Sequence, residues 1–344
     1  MREWPRRLPW EDNMRRFAST RAVALALSLV LSLALPASPK AAELKMLSGF
    51  PLNFVLTEEI AKPFVATLAA ESQGRLAIEL AGPDAVPTFE QLEPVQAGVF
   101  EMLFTHPAYH SGTTGVGLAI DGIASDPTKR REAGVIDYLT KHYEALGVKL
   151  IAAPATGTKG FRYFLREPIT GSPGLEGRKI RGTVSYHPMI RALGGSPVNM
   201  PGGEIYTSLQ KGVVDGAAWS LTGAKDFKWY EVAGYYAEPV FGQVGVMIFM
   251  NLEAWNALPA ADRVLIEAAA LELERNSISR FDALAAAELR ALQDFGMKET
   301  LFAPEDAKRL ETLWENGVWQ VAIEKSGAEA EGLREIARKA GLTR

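Results

Sequence analysis

Three residues in this chain have the type and setting to hold an anionic guest: Arg181, Arg162 and Trp219. Arg181 closes the apolar, strand-like segment Lys179-Ile180-Arg181 and is followed by Gly182. Arg162 lies inside Phe161-Arg162-Tyr163-Phe164, an aromatic stretch in which a charge is expensive unless paired. Trp219 ends Val213-Val214-Asp215-Gly216-Ala217-Ala218-Trp219. A guanidinium is permanently charged and presents a planar fork of donors that matches a carboxylate through two parallel hydrogen bonds. Arginines at strand ends with aromatic neighbours therefore suit a site for a small organic acid. The residues alone leave two other readings open: an internal ion pair for either arginine, and ordinary core packing for Trp219.

Catalytic chemistry finds no comparable set. His106, His110, His142 and His187 show no HExxH or other metal-ligand spacing. His106 and His110 are four apart, but Pro107 between them works against a regular helix that would bring them to one face. The chain has no cysteine, hence no thiol nucleophile and no disulfide, and it has no Gly-x-Ser-x-Gly elbow. The glycines of Gly112-Thr113-Thr114-Gly115-Val116-Gly117 lack the lysine of a phosphate-binding loop and read as a plain loop. Carboxylates are plentiful, and no pair is singled out. The expectation is a binding protein, not an enzyme, with no cofactor and no metal site.

The amino terminus bears on where such binding takes place. Arg15, Arg16 and Arg21 precede an apolar run from Ala22 to Leu35, followed by the small-residue stretch Pro36-Ala37-Ser38-Pro39-Lys40-Ala41-Ala42. A positive head, a short apolar core and a small-residue exit describe a secretory signal peptide over residues 1–42. This run of fourteen residues, twelve of them apolar, falls short of the roughly 20 that span a bilayer. The expected location is periplasmic, with no stable membrane insertion after cleavage. Whole, the chain carries a net charge of −4; removing residues 1–42 takes away seven basic and three acidic side chains and leaves −8. Neither value points to nucleic acid. An acidic protein that binds an anion must concentrate positive charge locally, which again directs attention to individual arginines.

The elements that would position these residues alternate between strand and helix. Strands are expected at Leu44–Leu47, Leu76–Leu80, Phe100–Phe104 and Val148–Ala152, with helices over Phe54–Ala70, from a Thr88 cap to Gly98, and over Arg130–Leu146. The pattern restarts at Gly160 with strands at Phe161–Leu165, Lys179–Gly182 and Val213–Trp219. Helices are expected at Tyr186–Leu193 and Glu204–Gln210, and a third after Trp219. Val246–Met250 is apolar again, and Ala260 to Phe295 is compatible with helix throughout, without Gly or Pro. That last segment predicts either a long helix bridging two lobes or two helices meeting near Asn276–Ser279. Largely parallel, helix-covered sheets and a ligand cleft between two α/β lobes follow from this order.

Several of these segments also resemble a known family. Leu175-Glu176-Gly177-Arg178-Lys179-Ile180-Arg181 is similar to the "L-x-G-x-K-[IL]-R" segment of the binding proteins of tripartite ATP-independent periplasmic (TRAP) transporters, the DctP-like family. Leu193-Gly194-Gly195-Ser196-Pro197-Val198-Asn199-Met200-Pro201 and the run from Glu204 to Gly216 continue the likeness in order and spacing. Ser72-Gln73-Gly74-Arg75-Leu76, Met250-Asn251 and Leu258-Pro259 extend it over essentially the whole chain after the signal.

The resemblance implies a two-lobed periplasmic-binding-protein fold (type II-like) that closes over an organic acid and delivers it to a membrane permease. It implies lobe I from residues 43–158 plus 246–286, and lobe II with the C-terminal helices from 159–245 plus 287–344. Arg181 falls on the family's carboxylate-gripping arginine, and Arg162 on an upstream arginine that assists it. His106 and Tyr109 fall in a loop that faces the cleft, and Tyr206 in a turn near the ligand. Trp219 replaces the Asn common among sugar-acid binders, which favours a 2-oxo, 2-hydroxy or aromatic monocarboxylate. Ser220 stands where an acidic residue usually follows that Trp, which speaks against a co-bound cation. The alternative from another functional class is a periplasmic ligand sensor that feeds a signalling kinase.

Overall fold

A computed structural model describes residues 42–344. The expected signal segment lies outside these residues, apart from Ala42, which opens the first strand. Among the described residues eleven strands form two mixed sheets. In chain order they are β1 (Ala42–Ser48), β2 (Leu76–Ala81), β3 (Met102–Thr105), β4 (Val148–Ala152), β5 (Phe161–Leu165), β6 (Lys179–Arg181), β7 (Ser196–Val198), β8 (Gly216–Ser220), β9 (Tyr235–Glu238), β10 (Met247–Asn251) and β11 (Lys298–Leu301). The first sheet has the order β2-β1-β3-β10-β4 and the second β11-β9-β5-β8-β6-β7. Each sheet with its helices makes one lobe. The sheets are mixed rather than largely parallel, because β10 runs antiparallel to β3 and β4, and β5 antiparallel to β8 and β9.

Strands β3, β4, β5, β8 and β10 are buried along nearly their whole length. That explains their unbroken apolar sequences, since a strand covered on both faces has no reason to alternate. Other local patterns were harder to read. The helix expected over Phe54–Ala70 begins as a wide turn, Thr57–Ala61, and becomes α-helical at Lys62–Glu71. Pro63 has no N–H to return to the preceding turn, where Lys62 N–H instead reaches back to Thr57 O. The segment expected as one helix over Arg130–Leu146 is two, Pro127–Glu132 and Val135–Glu144. Gly134 between them adopts φ 80°, a left-handed conformation that ends one helix and starts the next. Thr88 does not cap a helix; its hydroxyl donates to Gly49 O. After Trp219 no α-helix forms: the chain turns, makes a short 3₁₀ segment at Trp229–Glu231, and enters β9.

Four chain segments join the lobes among the described residues, the last of them the final long helix, Leu310–Lys339. Two are the segments that follow β4 and precede β10, which run side by side: Thr156 N donates to Val244 O, Gly160 N to Gly242 O, and Val246 N to Pro154 O. Gly160 is required by proximity, because a Cβ there would sit 2.6 Å from the backbone carbon of Gln243. The third is the helix Ala260–Asp294, continuous over 35 residues and therefore about 52 Å long. Three of its acids, Glu274 and Glu288 buried and Asp282 half-buried, hold backbone from both lobes in turn. Glu274 accepts from Ala153 N and from Arg131, Asp282 from Thr158 N, and Glu288 from Gly223 N and Lys225 N. Of the two readings from sequence, the single bridging helix is the one observed.

The last long helix, Leu310–Lys339, is broken at Gly327 (φ 50°) and serves both lobes. Leu310, Trp314 and Val318 pack in the core with Phe161 and Phe241 of the second lobe, whereas Trp319, Ala330, Leu333 and Ala337 join the core of the first. Tyr138 OH donates to Glu329 O and Ala124 N to Leu342 O. Residues 328–344 thus lie against lobe I, not with lobe II as the sequence reading places them. Among the described residues no helix is long and apolar enough to cross a membrane.

Candidate functional site

Strand ends from the two lobes converge on one small cavity. Phe50 follows β1, His106 and Tyr109 follow β3, Arg181 ends β6, Thr183 comes two residues later, and Trp219 and Ser220 end β8. In open α/β sheets the carboxyl ends of strands are where ligands collect, because side chains there are presented by rigid backbone at the sheet edge. Phe161, Tyr186, Leu56 and Val244 complete the lining of a space of about 30 Å³.

Arg181 dominates this space. Its side chain is 1% exposed, and no carboxylate among the described residues pairs with it. Nε and Nη2 donate to Met200 O at 3.0 and 2.9 Å, and Nη1 donates to Ala218 O at 3.2 Å. The guanidinium lies 4.7 Å from the centroid of the Trp219 ring, a cation–π contact. A guanidinium carries five N–H donors; three are taken by these carbonyls, and the remaining two, one on each Nη, face the cavity and the Tyr109 hydroxyl within it. Two N–H groups on adjacent nitrogens are the fork that receives a carboxylate. Burial lowers the pKa of Arg181, an effect that Tyr109 and Tyr186 partly oppose. Neutral carbonyls and ring faces solvate this charge only in part, so a buried anion would gain from it.

The hydroxyls around Arg181 stay protonated. Tyr109 is pushed up to about 12 by burial, against a smaller opposite pull from Arg181. Tyr186 is raised by burial in the same way. Both are O–H donors throughout the ordinary pH range. Thr183 Oγ1 and Trp219 Nε1 are buried polar atoms of the lining with no partner; such groups are costly in a folded protein unless something arrives to satisfy them. His106 accepts a hydrogen bond from Ala108 N on Nδ1, at 3.1 Å, so its neutral form carries the proton on Nε2. That nitrogen lies 3.0 Å from Asp121 Oδ2, out of hydrogen-bond alignment. Asp121 in turn accepts from Gly245 N, in a segment that joins the lobes.

Of the six residues expected at the site, four meet at the cavity: Arg181, Trp219, Tyr109 and His106. Arg162 does not. Its Nη2 donates to Glu238 at the end of neighbouring β9, and its guanidinium sits 5.0 Å from the Tyr236 ring. Burial lowers its pKa and Glu238 opposes that, the signature of an internal pair. Arg162 is thus corrected from ligand contact to structural ion pair. Tyr206 is corrected as well: its hydroxyl donates to Glu231 at 2.7 Å, on the outside of the second lobe, and it does not line the cavity. Phe50, Thr183 and Tyr186 were not singled out from sequence, although each follows the end of a strand that the sequence indicated.

Behind the cavity, His110 closes the same short turn, Pro107–His110. Its Nε2 meets Tyr143 OH at 2.8 Å, and burial, then His106 and His142, lower its pKa from 6.5 to about 3. The unfolded chain takes up this proton near pH 6.5, while the fold refuses it until about pH 3. This contribution to stability is therefore present above pH 6.5 and lost as the pH falls, at roughly 1.4 kcal/mol per pH unit. The His110 imidazole is expected to show no NMR titration between about pH 8 and pH 5; a midpoint near 6 would contradict its burial in the neutral form. Among the described residues no group of three His, Asp or Glu side chains is placed to hold a metal ion.

The two-lobed α/β fold is that of a periplasmic solute-binding protein. The chain belongs to the DctP family, bacterial extracellular solute-binding protein family 7, whose model matches residues 53–325. It is 26% identical over 276 residues to a monocarboxylate 2-oxoacid-binding periplasmic protein of Nostoc sp., covering 76% of this chain and 74% of that one. Among solved structures it is similar to a TRAP periplasmic solute-binding protein of Desulfovibrio salexigens with bound orotic acid. That match has a TM-score of 0.77 at 20% identity and covers 87% of this chain and 98% of that chain. It is also similar to DctP7 of Bordetella pertussis, a receptor that binds pyroglutamic acid, with TM-score 0.76, 20% identity, and 87% and 100% coverage.

Proposed function

We propose that this protein captures a small organic monocarboxylate at Arg181, outside the cytoplasm, and delivers it to the membrane permease of a TRAP transporter. The observation that carries the proposal is a fully buried guanidinium that has carbonyl partners and no carboxylate, and that retains one N–H on each Nη beside a cavity. In this reading the acid's carboxylate takes the fork, Trp219 backs the guanidinium, and the Tyr109 hydroxyl and His106 Nε2 address the neighbouring 2-oxo or 2-hydroxy group. The relatives support it: one is named for 2-oxoacids, and others hold orotic and pyroglutamic acids. Arg162 and Tyr206 have no part in ligand capture here. No observation favours the sensor alternative.

A ligand that binds only the folded form stabilises it by about 2.7 kcal/mol at 100 times Kd. A thermal-shift panel of carboxylates, sugars and amines is expected to give upward shifts of several degrees with monocarboxylates. Shifts confined to sugars or amines would count against the proposal.

A further inference from the structure

The 30 Å³ cavity beside Arg181 is small. Since about 10–15 Å³ admits one water, it holds roughly two water-sized groups, the bulk of a carboxylate head and little more. A second, larger space of about 640 Å³ adjoins it and shares Phe50, Tyr109 and Trp219 as walls. This recess lies between loops of the two lobes, with Leu52 and Pro87 on one side and Pro201 and Phe227 on the other. Its charged lining residues are Asp84 and Glu204, both acidic and exposed. Gly202 lets the recess wall lie flat on the indole, since a Cβ there would come within 2.6 Å of Trp219 Cη2. The next residue, Gly203, borders the recess, and a Cβ there would meet nothing within 4 Å.

We infer that the site has two compartments: the cavity at Arg181 takes the carboxylate, and the recess takes an apolar body of ring size that extends past Phe50, Tyr109 and Trp219. The ligand class is then a monocarboxylate carrying a ring or comparable chain, uncharged or cationic at its far end. The acidic rim discriminates against a second carboxylate. This rests on the proposed carboxylate capture at Arg181 and adds to it where the rest of the molecule goes.

The test is isothermal calorimetry with two matched pairs of probes: pyruvate against phenylpyruvate, and acetate against phenylacetate. Each pair keeps the head and adds a ring. The ring is expected to tighten binding roughly 10- to 100-fold, as for burial of a phenyl group. In Gly203→Phe, which adds a ring at a position bordering the recess, that ratio is expected to fall towards one. Arg181-dependent binding with equal affinity for both members of a pair would overturn the two-compartment site and leave carboxylate capture standing. A ring preference that Gly203→Phe does not reduce would also overturn it. Absence of Arg181-dependent binding for all four acids would sink carboxylate capture and this inference together.

Discussion

Replacing Arg181 by alanine is expected to weaken acid binding by about 2–5 kcal/mol, roughly 30- to 4000-fold, as when a buried charge pair loses one member. The reason is local. Among the described residues no other cation lines the cavity, so nothing substitutes for the guanidinium when the acid's carboxylate leaves water. Lysine is expected to recover only part of the loss. It restores the charge but presents no planar fork, and it cannot replace the three bonds that aim Arg181 from Met200 O and Ala218 O. Calorimetry on the three proteins decides this, with denaturant unfolding to establish that each variant still folds cooperatively. Affinity within about twofold of the parent in Arg181→Ala would remove Arg181 from the site.

The second large effect concerns Arg162 and acts on stability instead of binding. Glu238→Gln leaves the Arg162 guanidinium 4% exposed beside a neutral partner. Breaking a buried pair from one side costs about 3–5 kcal/mol. The Glu238 side chain is 25% exposed, so screening reduces the expected loss to about 2–4 kcal/mol. Urea unfolding reads it directly. Removing both charges, Arg162→Met with Glu238→Gln, is expected to recover part of the loss, because the cost lies in the uncompensated charge and not in the missing attraction. Acid affinity is expected to stay within about twofold in both proteins. A weakened Kd with an unchanged unfolding midpoint would return Arg162 to the ligand.

These two arginines show what the sequence could and could not convey. Arg181 was legible because local sequence and its outcome coincide: an apolar strand ends, a charge follows, and the strand end is where the cleft lies. Arg162 had equally suggestive surroundings, yet its partner Glu238 is 76 residues away in the chain. Which strand lies beside β5 is set by sheet order, and sheet order is not a local property. Tyr206 was carried by a motif that fixes a helix start without fixing where its ring points. Phe50, Thr183 and Tyr186 carry a simple signal, a place just past a strand's carboxyl end, that local sequence alone does not separate from an ordinary loop. The absence of Gly and Pro marked the ends of the helix Ala260–Asp294 nearly to the residue, but left open whether it was one helix or two meeting near Asn276–Ser279. Helical spacing merged two helices across Gly134, where the glycine itself was the warning. The short strands β7, β9 and β11 owe their conformation to the sheet they join and have too few residues to show a period.

The most direct measurement is a crystal structure of the protein grown with a monocarboxylate that raises its melting temperature. Both carboxylate oxygens are expected at about 2.7–2.9 Å from the two Nη atoms of Arg181, with Arg162 still paired to Glu238. An acid bound elsewhere, or held by Arg162 after release from Glu238, would contradict capture at Arg181.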